Sequence, residues 1–533
     1  MWFGRLPYVF SRWVYGEGMW YSLTLLAIIL VGFILRVWNI GSLNPAGDEF
    51  RHLIAAKRYL LEGFFQYPGI LSTWIVIIMK KIFNTSSLFL LRLPFVMFGT
   101  ISIFLFYKIG KLFNKKVGII SAYLFAFCPL AIGLAGYIRN YEPLMFVFIL
   151  SLFLILRNKE LNKKFFLSLL IIIIFLIFIN LSDYSEWVQS IDFLLLLVIG
   201  TYIFSLLLNK FIKNDSLNMA LKIFFSIIGF FLGRYLIPII THLNLKEELT
   251  LQYLFFINYY PTSYLWYLSF LPYLIILLIL VLPFLLNIKN SQIYSLSFSL
   301  FFFLYTYLFY FTAPRLFQPR YFYFGLPLVI ILLSIGVNYL YNLLFRETRV
   351  KSKVYWLLAL SVIIFLLIFN PFNAVYNTLT IENGESNKNS GFAYFDSQPL
   401  VNFLIENNLS EKRILTTQPW VFDYYFNKSF LDDKNKSDYL FYPPTQWFEY
   451  FDRSQGYYAI NGYWNSDSIK QINWLIKEKD VNLLVFHALP QSNLTEYNIT
   501  TVSKNYPSFE LVKIIDEDKQ YGYYILKKSS DEN

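Results

Sequence analysis

The sequence predicts a membrane protein of α-helices that is followed by a small α/β domain. Three observations predict this fold class. Of 533 residues, 57% are hydrophobic and only 15% are charged, with a mean hydropathy of +0.49. Soluble proteins carry about 25% charged residues because their surfaces face water. Long apolar runs recur through the first part of the chain, and they stop near residue 372, where shorter alternating patterns begin.

The apolar runs have the length of membrane spans. A helix that crosses about 30 Å of hydrocarbon needs about 20 mostly apolar residues, because no water inside the bilayer can bind exposed backbone groups. The expected result is a polytopic bundle of about 11 transmembrane helices. Their predicted ranges are 20–38, 87–107, 117–135, 144–157, 165–181, 187–209, 220–241, 264–286, 292–312, 321–345 and 354–371.

The basic residues predict the orientation, because Lys and Arg beside short loops are retained on the cytoplasmic side. They concentrate in alternate loops, at 108–116, 157–164, 210–222, 289 and 346–353. No cleavage site made of small residues follows the first apolar run, so the first span is expected to remain in the protein as a membrane anchor. These features predict a multi-pass protein of the plasma membrane, with a cytoplasmic N-terminus.

The net charge of +11 is explained by these basic loops, so no nucleic-acid partner is expected. The loops between the basic ones carry only Arg139, Lys246, Arg315 and Arg320.

The chain divides into a transmembrane domain at 1–372 and an extracytoplasmic α/β domain at 373–533. In the second part, "QPLVNFLIENN" and "SIKQINWLIKEKD" have helical periodicity, whereas "RILTT", "NLLVF", "FELVKII" and "YGYYILKK" are typical of strands. The single cysteine, Cys128, excludes an internal disulfide.

Two adjacent carboxylates, Asp48 and Glu49, follow the first span. After them, apolar residues from Phe50 to Phe64 recur at helical spacing, which predicts a helix that lies along the outer membrane surface. In one interpretation Asp48 only caps this helix, and both acids complement its dipole. In the other interpretation one of them is a catalytic base. Consecutive side chains cannot flank a sugar from opposite faces, so one acid at most performs the chemistry.

Other charged residues of the outer loops favour a phosphate ligand. "GLAGYIRNYEPL" contains Arg139 and Glu142, and "APRLFQPRYFYFGLPLVII" contains Arg320 and Tyr321. An arginine at the membrane surface offers several donors to a lipid phosphate. The alternatives are an interfacial anchor for Arg320 and a local ion pair between Arg139 and Glu142.

The order of these motifs resembles the membrane-embedded GT-C glycosyltransferases. The motifs are the acidic pair with its surface helix, "RLPFVMFGTISIFLFYKIGKLF", the acid that enters span four, "PRYFYFGLPLVIILLSIGV" and the outer tail. Among these enzymes, the chain looks most like the protein O-mannosyltransferase and lipid A aminoarabinose transferase relatives.

The resemblance implies an inverting transfer of a hexosyl or pentosyl group from a polyprenyl phosphate, either dolichyl or undecaprenyl, to an acceptor hydroxyl at the outer face. It implies Asp48 as the base, Glu49 as its support and Glu142 as the second-loop acid. Arg320 and Tyr321 would contact the donor phosphate, and Arg139 is a further candidate for substrate binding. The acceptor is left open among a protein, a lipid and a glycan.

The sequence departs from the family at one motif. Relatives often have a His-Pro-Pro or Lys-Pro-Pro element after the surface helix, where this chain has "QYPGIL". Arg51 or His52 could supply the missing cation. No cofactor is firmly expected. A divalent metal, Mg²⁺ or Mn²⁺, is an open alternative, since related enzymes hold one with acidic loops; its candidate ligands are Asp48, Glu49, Glu142, Asp183 and Glu186.

Two other classes of function stay open. A transporter or flippase for lipid-linked glycans would more often carry ionisable residues or Gly/Pro breaks deep within its spans. A catalytically inactive protein that binds glycans could share the same fold. Most of the charge in this chain lies at the predicted ends of helices, which favours chemistry at the membrane surface.

Overall fold

The protein is represented by a computed structural model that describes only part of the chain. The described residues are 18–45, 48–63, 70–182, 186–226, 228, 290–310, 323–346, 371–382, 386–387, 392–393, 397–409, 414–416, 421, 424–425, 439–441, 482–488, 508–515 and 522–529.

The helices occupy most of the described part before residue 380. The labelled helices are α1 Met19–Val37, α2 Asp48–Glu62, α3 Ile70–Phe83, α4 Leu88–Lys111, α5 Lys115–Ala126, α6 Pro129–Ala135, α7 Tyr141–Leu156, α8 Lys163–Ser182, α9 Glu186–Phe211, α10 Ser291–Tyr310, α11 Leu326–Arg346 and α12 Pro371–Leu379. Residues 215–226 are also helical, and residues 323–325 form a 3₁₀ turn before α11.

The described helices support a membrane protein. Met19–Val37, Leu88–Lys111 and Leu194–Phe211 are long and apolar enough to cross a bilayer, and the bent pair α5 and α6 would make a fourth span. Tyr141–Leu156 and Tyr323–Tyr339 are shorter apolar helices. The predicted spans 264–286 and 354–370 lie outside the described residues. The number of eleven spans and their orientation therefore stay predictions.

The third predicted span, 117–135, is broken rather than continuous. It forms α5 and α6, whose axes differ by 57°. α5 starts after Asn114, whose Oδ1 accepts a hydrogen bond from the backbone N–H of Val117 at 2.8 Å. The break follows from Pro129, because proline has no N–H to continue the ladder and disfavours the helical conformation of the residue before it.

Two helices were not expected from the sequence. α3 has 14 residues, which is shorter than the roughly 20 that a span requires. α12 covers the predicted domain boundary at 372, where a polar linker was expected. Ile381, just after α12, belongs to the same buried cluster as the transmembrane helices. The segment to residue 382 is therefore packed with the helical part.

The core of the helical part joins α1, α4, α5, α7, α9, α10 and α11. α4 and α5 approach each other closely, backbone to backbone, at Gly110 and Gly118. A Cβ atom at Gly110 would lie 2.8 Å from the Cα atom of Gly118, and a Cβ atom at Gly118 would lie 2.8 Å from the backbone oxygen of Tyr107. Small residues let two helix backbones approach this closely, and close approach is a main source of packing energy inside membranes.

A mixed five-stranded sheet lies in the C-terminal part. Its strands are β3 Ile414–Thr416, β4 Tyr439–Phe441, β5 Leu483–Ala488, β6 Phe509–Ile515 and β7 Gly522–Lys528, in the order β4-β3-β5-β7-β6. The β4, β3 and β5 strands are parallel, and β7 is antiparallel to both of its neighbours. A short hairpin, β1 Ser386–Asn387 with β2 Phe392–Ala393, and helix α13 Gln398–Glu406 precede the sheet.

The strands predicted from "RILTT", "NLLVF", "FELVKII" and "YGYYILKK" are β3, β5, β6 and β7, and the helix predicted from "QPLVNFLIENN" is α13. The helix predicted from "SIKQINWLIKEKD" lies outside the described residues. That 373–533 forms a separate domain outside the membrane stays a prediction.

We expect the substitution Gly118→Ala to lower stability. Its Cβ atom would meet the backbone of Tyr107, so α4 and α5 must separate, at a cost of about 1–3 kcal/mol. The measurement is the thermal unfolding of the purified protein in detergent. Gly200→Ala is the matched control, because nothing lies within 4 Å of its Cβ position. Equal unfolding temperatures for the two variants would contradict the close packing.

Candidate active site

The first predicted site residue, Asp48, begins α2. Its side chain lies outside the described part of the structure. Glu49, which follows Asp48, and residues 40–45, which precede it by a few positions, are described, and they show how this part of the backbone is held. The site is therefore built from its neighbours in sequence and space.

Glu49 forms a buried ion pair with Arg92 of α4. The Nη2 atom of Arg92 lies 2.7 Å from Glu49 Oε2, and its Nε atom lies 3.0 Å from Glu49 Oε1. Neither side chain is exposed to solvent. A bidentate guanidinium–carboxylate pair fixes orientation as well as distance. Glu49 is thus buried inside the protein.

Arg92 also holds the segment that precedes Asp48. Its Nη1 atom donates to the carbonyl oxygens of Ile40 at 2.6 Å and Leu43 at 2.8 Å, and its Nη2 atom donates to the carbonyl of Asn44 at 3.2 Å. With the two bonds to Glu49, the guanidinium group is fully used. Arg92 therefore binds the chain before and after Asp48 in sequence. We call this set of bonds the Arg92 clamp, and it restrains the backbone that carries Asp48.

The loop between α6 and α7, the predicted second outer loop, joins the same cluster. The backbone N–H of Ile138 donates to Glu49 Oε1 at 2.8 Å. Two residues later, Asn140 Oδ1 accepts hydrogen bonds from the backbone N–H and the hydroxyl of Ser72 at the start of α3. Arg139 lies between these two anchors and is partly buried. The structure therefore brings the candidate Arg139 into the loop that contacts Glu49.

Glu142 lies in a second buried polar cluster. Its Oε1 atom accepts a hydrogen bond from the hydroxyl of Tyr323 at 2.5 Å. Its Oε2 atom faces Arg36 across Gly99, since a Cβ atom at Gly99 would lie 2.7 Å from Glu142 Oε2 and 3.3 Å from Arg36 Nε. The alternative of a local ion pair with Arg139 is wrong, because Glu142 bonds Tyr323 instead. This cluster links α1, α4, α7 and the turn before α11.

Arg36 completes the break between α5 and α6. Its Nη2 atom donates to the carbonyl of Phe125 at 2.9 Å, and its Nη1 atom donates to the carbonyl of Ala126 at 3.0 Å. In a continuous helix, the N–H of residue 129 would bind the carbonyl of Phe125, but Pro129 has none. An arginine of α1 therefore donates to the last carbonyls of α5, including that of Phe125, which Pro129 cannot bond.

Helix α2 is packed on two sides by protein. Phe50 and Ile54 belong to a cluster with the C-terminal sheet and α13, whereas Leu53 and Ala56 belong to a cluster with α3 and α4. Phe50 also meets Tyr424 of the C-terminal part in an edge-to-face contact, with ring centroids 5.4 Å apart. The apolar face that was expected to contact lipid is therefore mostly covered by protein. Near the helix end, Leu61 remains exposed.

Tyr424 brings the C-terminal part close to the ion pair. Burial raises the pKa of its phenol, the charge of Arg92 lowers that pKa, and the charge of Glu49 raises it. Tyr424 also packs against the buried cluster that contains Leu53 of α2 and Leu91 of α4, which is the neighbour of Arg92 in sequence. The segment that carries Asp48 thus touches both the helical and the C-terminal parts of the protein.

The remaining candidate residues from the sequence are Arg51, His52, Arg320 and Tyr321. Arg51 is partly buried on α2. His52 is buried rather than a surface group, and its Nδ1 atom lies 3.1 Å from the hydroxyl of Thr73. Burial, and secondarily the charge of Arg51, lower the pKa of His52 to about 4, so it is neutral at pH 7 and does not supply the missing cation. Arg320 and Tyr321 lie outside the described residues.

Glu49 and Glu142 do not fit a metal site. Both oxygens of Glu49 are bonded to Arg92, and Glu142 is buried between Tyr323 and Arg36. Among the residues that the structure describes, no group of three His, Cys, Asp or Glu side chains could hold a metal ion. The side chains of Asp48, Asp183 and Glu186 lie outside that part. The described carboxylates thus serve ion pairing and hydrogen bonding.

The sequence analysis missed Arg36 and Tyr323 and gave Arg92 no role in the site. A signal for the two arginines was present, because an ionisable residue within an apolar helix is costly and usually has a specific partner. A tyrosine at the start of an apolar helix likewise needs a partner for its hydroxyl when it is buried. The partners themselves could not be read from the sequence.

No protein-family model matches the chain, and no curated protein matches it. Solved structures of GT-C transferases are similar to it. The oligosaccharyltransferase from Archaeoglobus fulgidus, in complex with zinc and sulfate, has a TM-score of 0.49 at 11% identity, over 94% of this chain and 72% of the other. ArnT from Cupriavidus metallidurans has a TM-score of 0.46 in its apo state, at 11% identity over 95% and 97% of the two chains. ArnT bound to undecaprenyl phosphate also has a TM-score of 0.46, at 12% identity over 95% and 98%.

We expect Glu49→Gln to destabilise the protein strongly. The substitution keeps the shape of the side chain but leaves the charge of Arg92 buried without its counter-ion, which costs about 3–5 kcal/mol. Thermal unfolding in detergent is the measurement, and Glu406→Gln, at an exposed position of α13, is the control. A double-mutant cycle with Arg92→Met should show coupling between the two sites. Additive losses would exclude the ion pair.

Stability should depend on pH through His52. Its pKa is about 4 in the folded protein and about 6.5 when unfolded, so the unfolded chain binds the proton more tightly. This contribution is complete above pH 6.5 and is lost as pH falls towards 4; by pH 5 the loss is about 2 kcal/mol. The check compares unfolding at pH 7.5 and pH 5 for the native protein and His52→Gln. An equal pH dependence of the two proteins would contradict a buried neutral imidazole.

Proposed function

We propose that this protein transfers a sugar from a polyprenyl phosphate donor to an acceptor hydroxyl at the outer face of the membrane, with inversion and with Asp48 as the base. The observation that carries the proposal is the clamp of Arg92 on both sides of Asp48. A base must stand within hydrogen-bond reach of the proton that it removes, so a rigidly held acid after the first span is suited to this role.

The clamp also assigns the role of Glu49. Because both of its oxygens bind Arg92, Glu49 is a positioning residue rather than a second catalytic acid. One base is sufficient for the proposed reaction. The acceptor oxygen forms a bond to the anomeric carbon as the bond to the phosphate oxygen breaks, and the phosphate leaves with its electron pair without a general acid. The proton of the acceptor hydroxyl passes to Asp48.

Arg320 and Tyr321 are proposed to bind the donor phosphate. In sequence they precede Tyr323 by three and two residues, and Tyr323 is fixed by its bond to Glu142. Phe324 is also buried, and its ring stacks on that of Tyr141. Tyr323 and Phe324, which follow Arg320 and Tyr321 in sequence, are thus attached to Glu142 and Tyr141. This attachment supports a donor site near Arg139 and the Asp48 segment.

The position of the buried charges favours this function over transport. Arg36 lies in the last turn of α1, Arg92 lies near the start of α4, and Glu142 lies in the first turn of α7. All three are at the predicted outer ends of their helices, whereas a transporter would place such groups near the middle of the bilayer. Which sugar is moved and which molecule accepts it are not determined by these residues.

The decisive measurement uses membranes that contain the protein and a radiolabelled polyprenyl-phosphate sugar. We expect the label to move to an acceptor, and we expect Asp48→Asn to reduce this transfer by at least about 100-fold while expression stays near normal. Asp215→Asn, an exposed acid at the predicted cytoplasmic end, is the control and should retain activity.

Each rival has its own outcome in this experiment. A flippase would move labelled donor across the bilayer without transfer to an acceptor, and a glycan-binding protein would retain label without either change. Full transfer activity in Asp48→Asn would overturn the proposed mechanism.

A further inference from the structure

A cavity lies at the end of the helical bundle opposite to the Arg92 clamp. It has a volume of about 490 Å³ and includes Leu112 and Phe113, which follow α4. α4 begins near the Arg92 clamp, and its 24 residues span about 36 Å, so this inner cavity is far from Asp48. The basic loops predict that this end faces the cytoplasm. The inner cavity therefore belongs to neither the donor nor the acceptor site of the proposed function.

The inner cavity is lined by hydrogen-bond donors of a specific kind. Asn114 and Asn290 both line it, and the side-chain oxygen of each is already used. Asn114 Oδ1 accepts from the backbone of Val117, and Asn290 Oδ1 accepts from the backbones of Gln292 and Ile293. An amide whose oxygen faces backbone N–H groups can offer a ligand only its NH₂ group.

The described residues that line the inner cavity carry positive charge only. Lys159 contributes an ammonium group, and no carboxylate is among the described residues that line the inner cavity. The two asparagines cap α5 and α10, whose positive dipole ends adjoin the inner cavity and add to its attraction for an anion. The opposite wall adds the amides of Asn338 and Asn342 from α11.

The wall behind these donors is held by internal hydrogen bonds. Asn209 Oδ1 accepts from Lys222 and Asn218, each at 3.0 Å, and Asn209 Nδ2 donates to Ser291 at 2.9 Å. These bonds link α9, the helix at 215–226 and the start of α10. The inner cavity is thus preformed, and a ligand would not have to order these side chains.

We propose that the inner cavity binds the phosphodiester headgroup of an anionic phospholipid from the cytoplasmic leaflet. The amide NH₂ groups and Lys159 supply donors and charge for the phosphate. The apolar side chains of Leu112, Phe113, Leu206 and Ile335 in the same lining suit the first part of the acyl chains. A free phosphate would use the donors but not these apolar groups.

The test uses the full-length protein in detergent, mixed with equal amounts of phosphatidylglycerol and phosphatidylcholine, and native mass spectrometry to count the retained lipid. The native protein should retain phosphatidylglycerol in preference. Lys159→Ala should lower this retention about fivefold, as expected for one lysine near an anionic lipid. Lys163→Ala, an exposed lysine that does not line the inner cavity, should leave it unchanged.

Asn290→Asp is the sharper variant. Aspartate caps a helix as well as asparagine does, so α10 and the unfolding temperature should be preserved. The substitution replaces the NH₂ donor by a charged oxygen that repels phosphate, so retention of phosphatidylglycerol should be lost. Retention equal to the native protein in both Lys159→Ala and Asn290→Asp would overturn the proposal. A site that inorganic phosphate fills, with no preference between the two lipids, would overturn the assignment to a lipid headgroup.

Discussion

The buried ion pair between Glu49 and Arg92 is the interaction on which the segment around Asp48 depends. Burying two charges is costly unless the geometry is good and the remaining donors are satisfied. Both conditions hold here, because the guanidinium group bonds the carboxylate with two nitrogens and three backbone carbonyls with the rest. The pair joins α2, α4 and the segment between α1 and α2, and the N–H of Ile138 adds the second outer loop.

The cluster of Arg36, Glu142 and Tyr323 repeats this solution a short distance away. Arg36 donates to the carbonyls of Phe125 and Ala126 at the break between α5 and α6, and the bond between Glu142 and Tyr323 fixes the turn before α11. Both clusters are formed by charged residues near the ends of helices, and their hydrogen bonds tie several helices together at that end of the bundle. Such rigidity is what a site needs to hold a reacting group within a fraction of an ångström.

Helix α2 connects this rigid end to the C-terminal part. One side of α2 packs with the sheet and α13, and the other packs with α3 and α4. The helix that begins at Asp48 is therefore packed against both the helical and the C-terminal parts of the protein. The inner end has a different character, since its asparagines and Lys159 present donors, whereas the outer carboxylates and arginines are paired with each other.

The sequence by itself determined the local structure. Apolar runs fixed most of the described helices, and alternating patterns fixed β3, β5, β6 and β7, because these periods depend only on which face of an element must be buried. It also singled out Asp48, Glu49, Arg139 and Glu142 as candidates near the ends of apolar helices. Only the tertiary structure decided the partners: Glu49 binds Arg92, 43 residues away, Glu142 binds Tyr323, 181 residues away, and His52 is buried against Thr73. Whether a carboxylate is exposed or paired depends on contacts between distant segments, and no local pattern encodes those contacts.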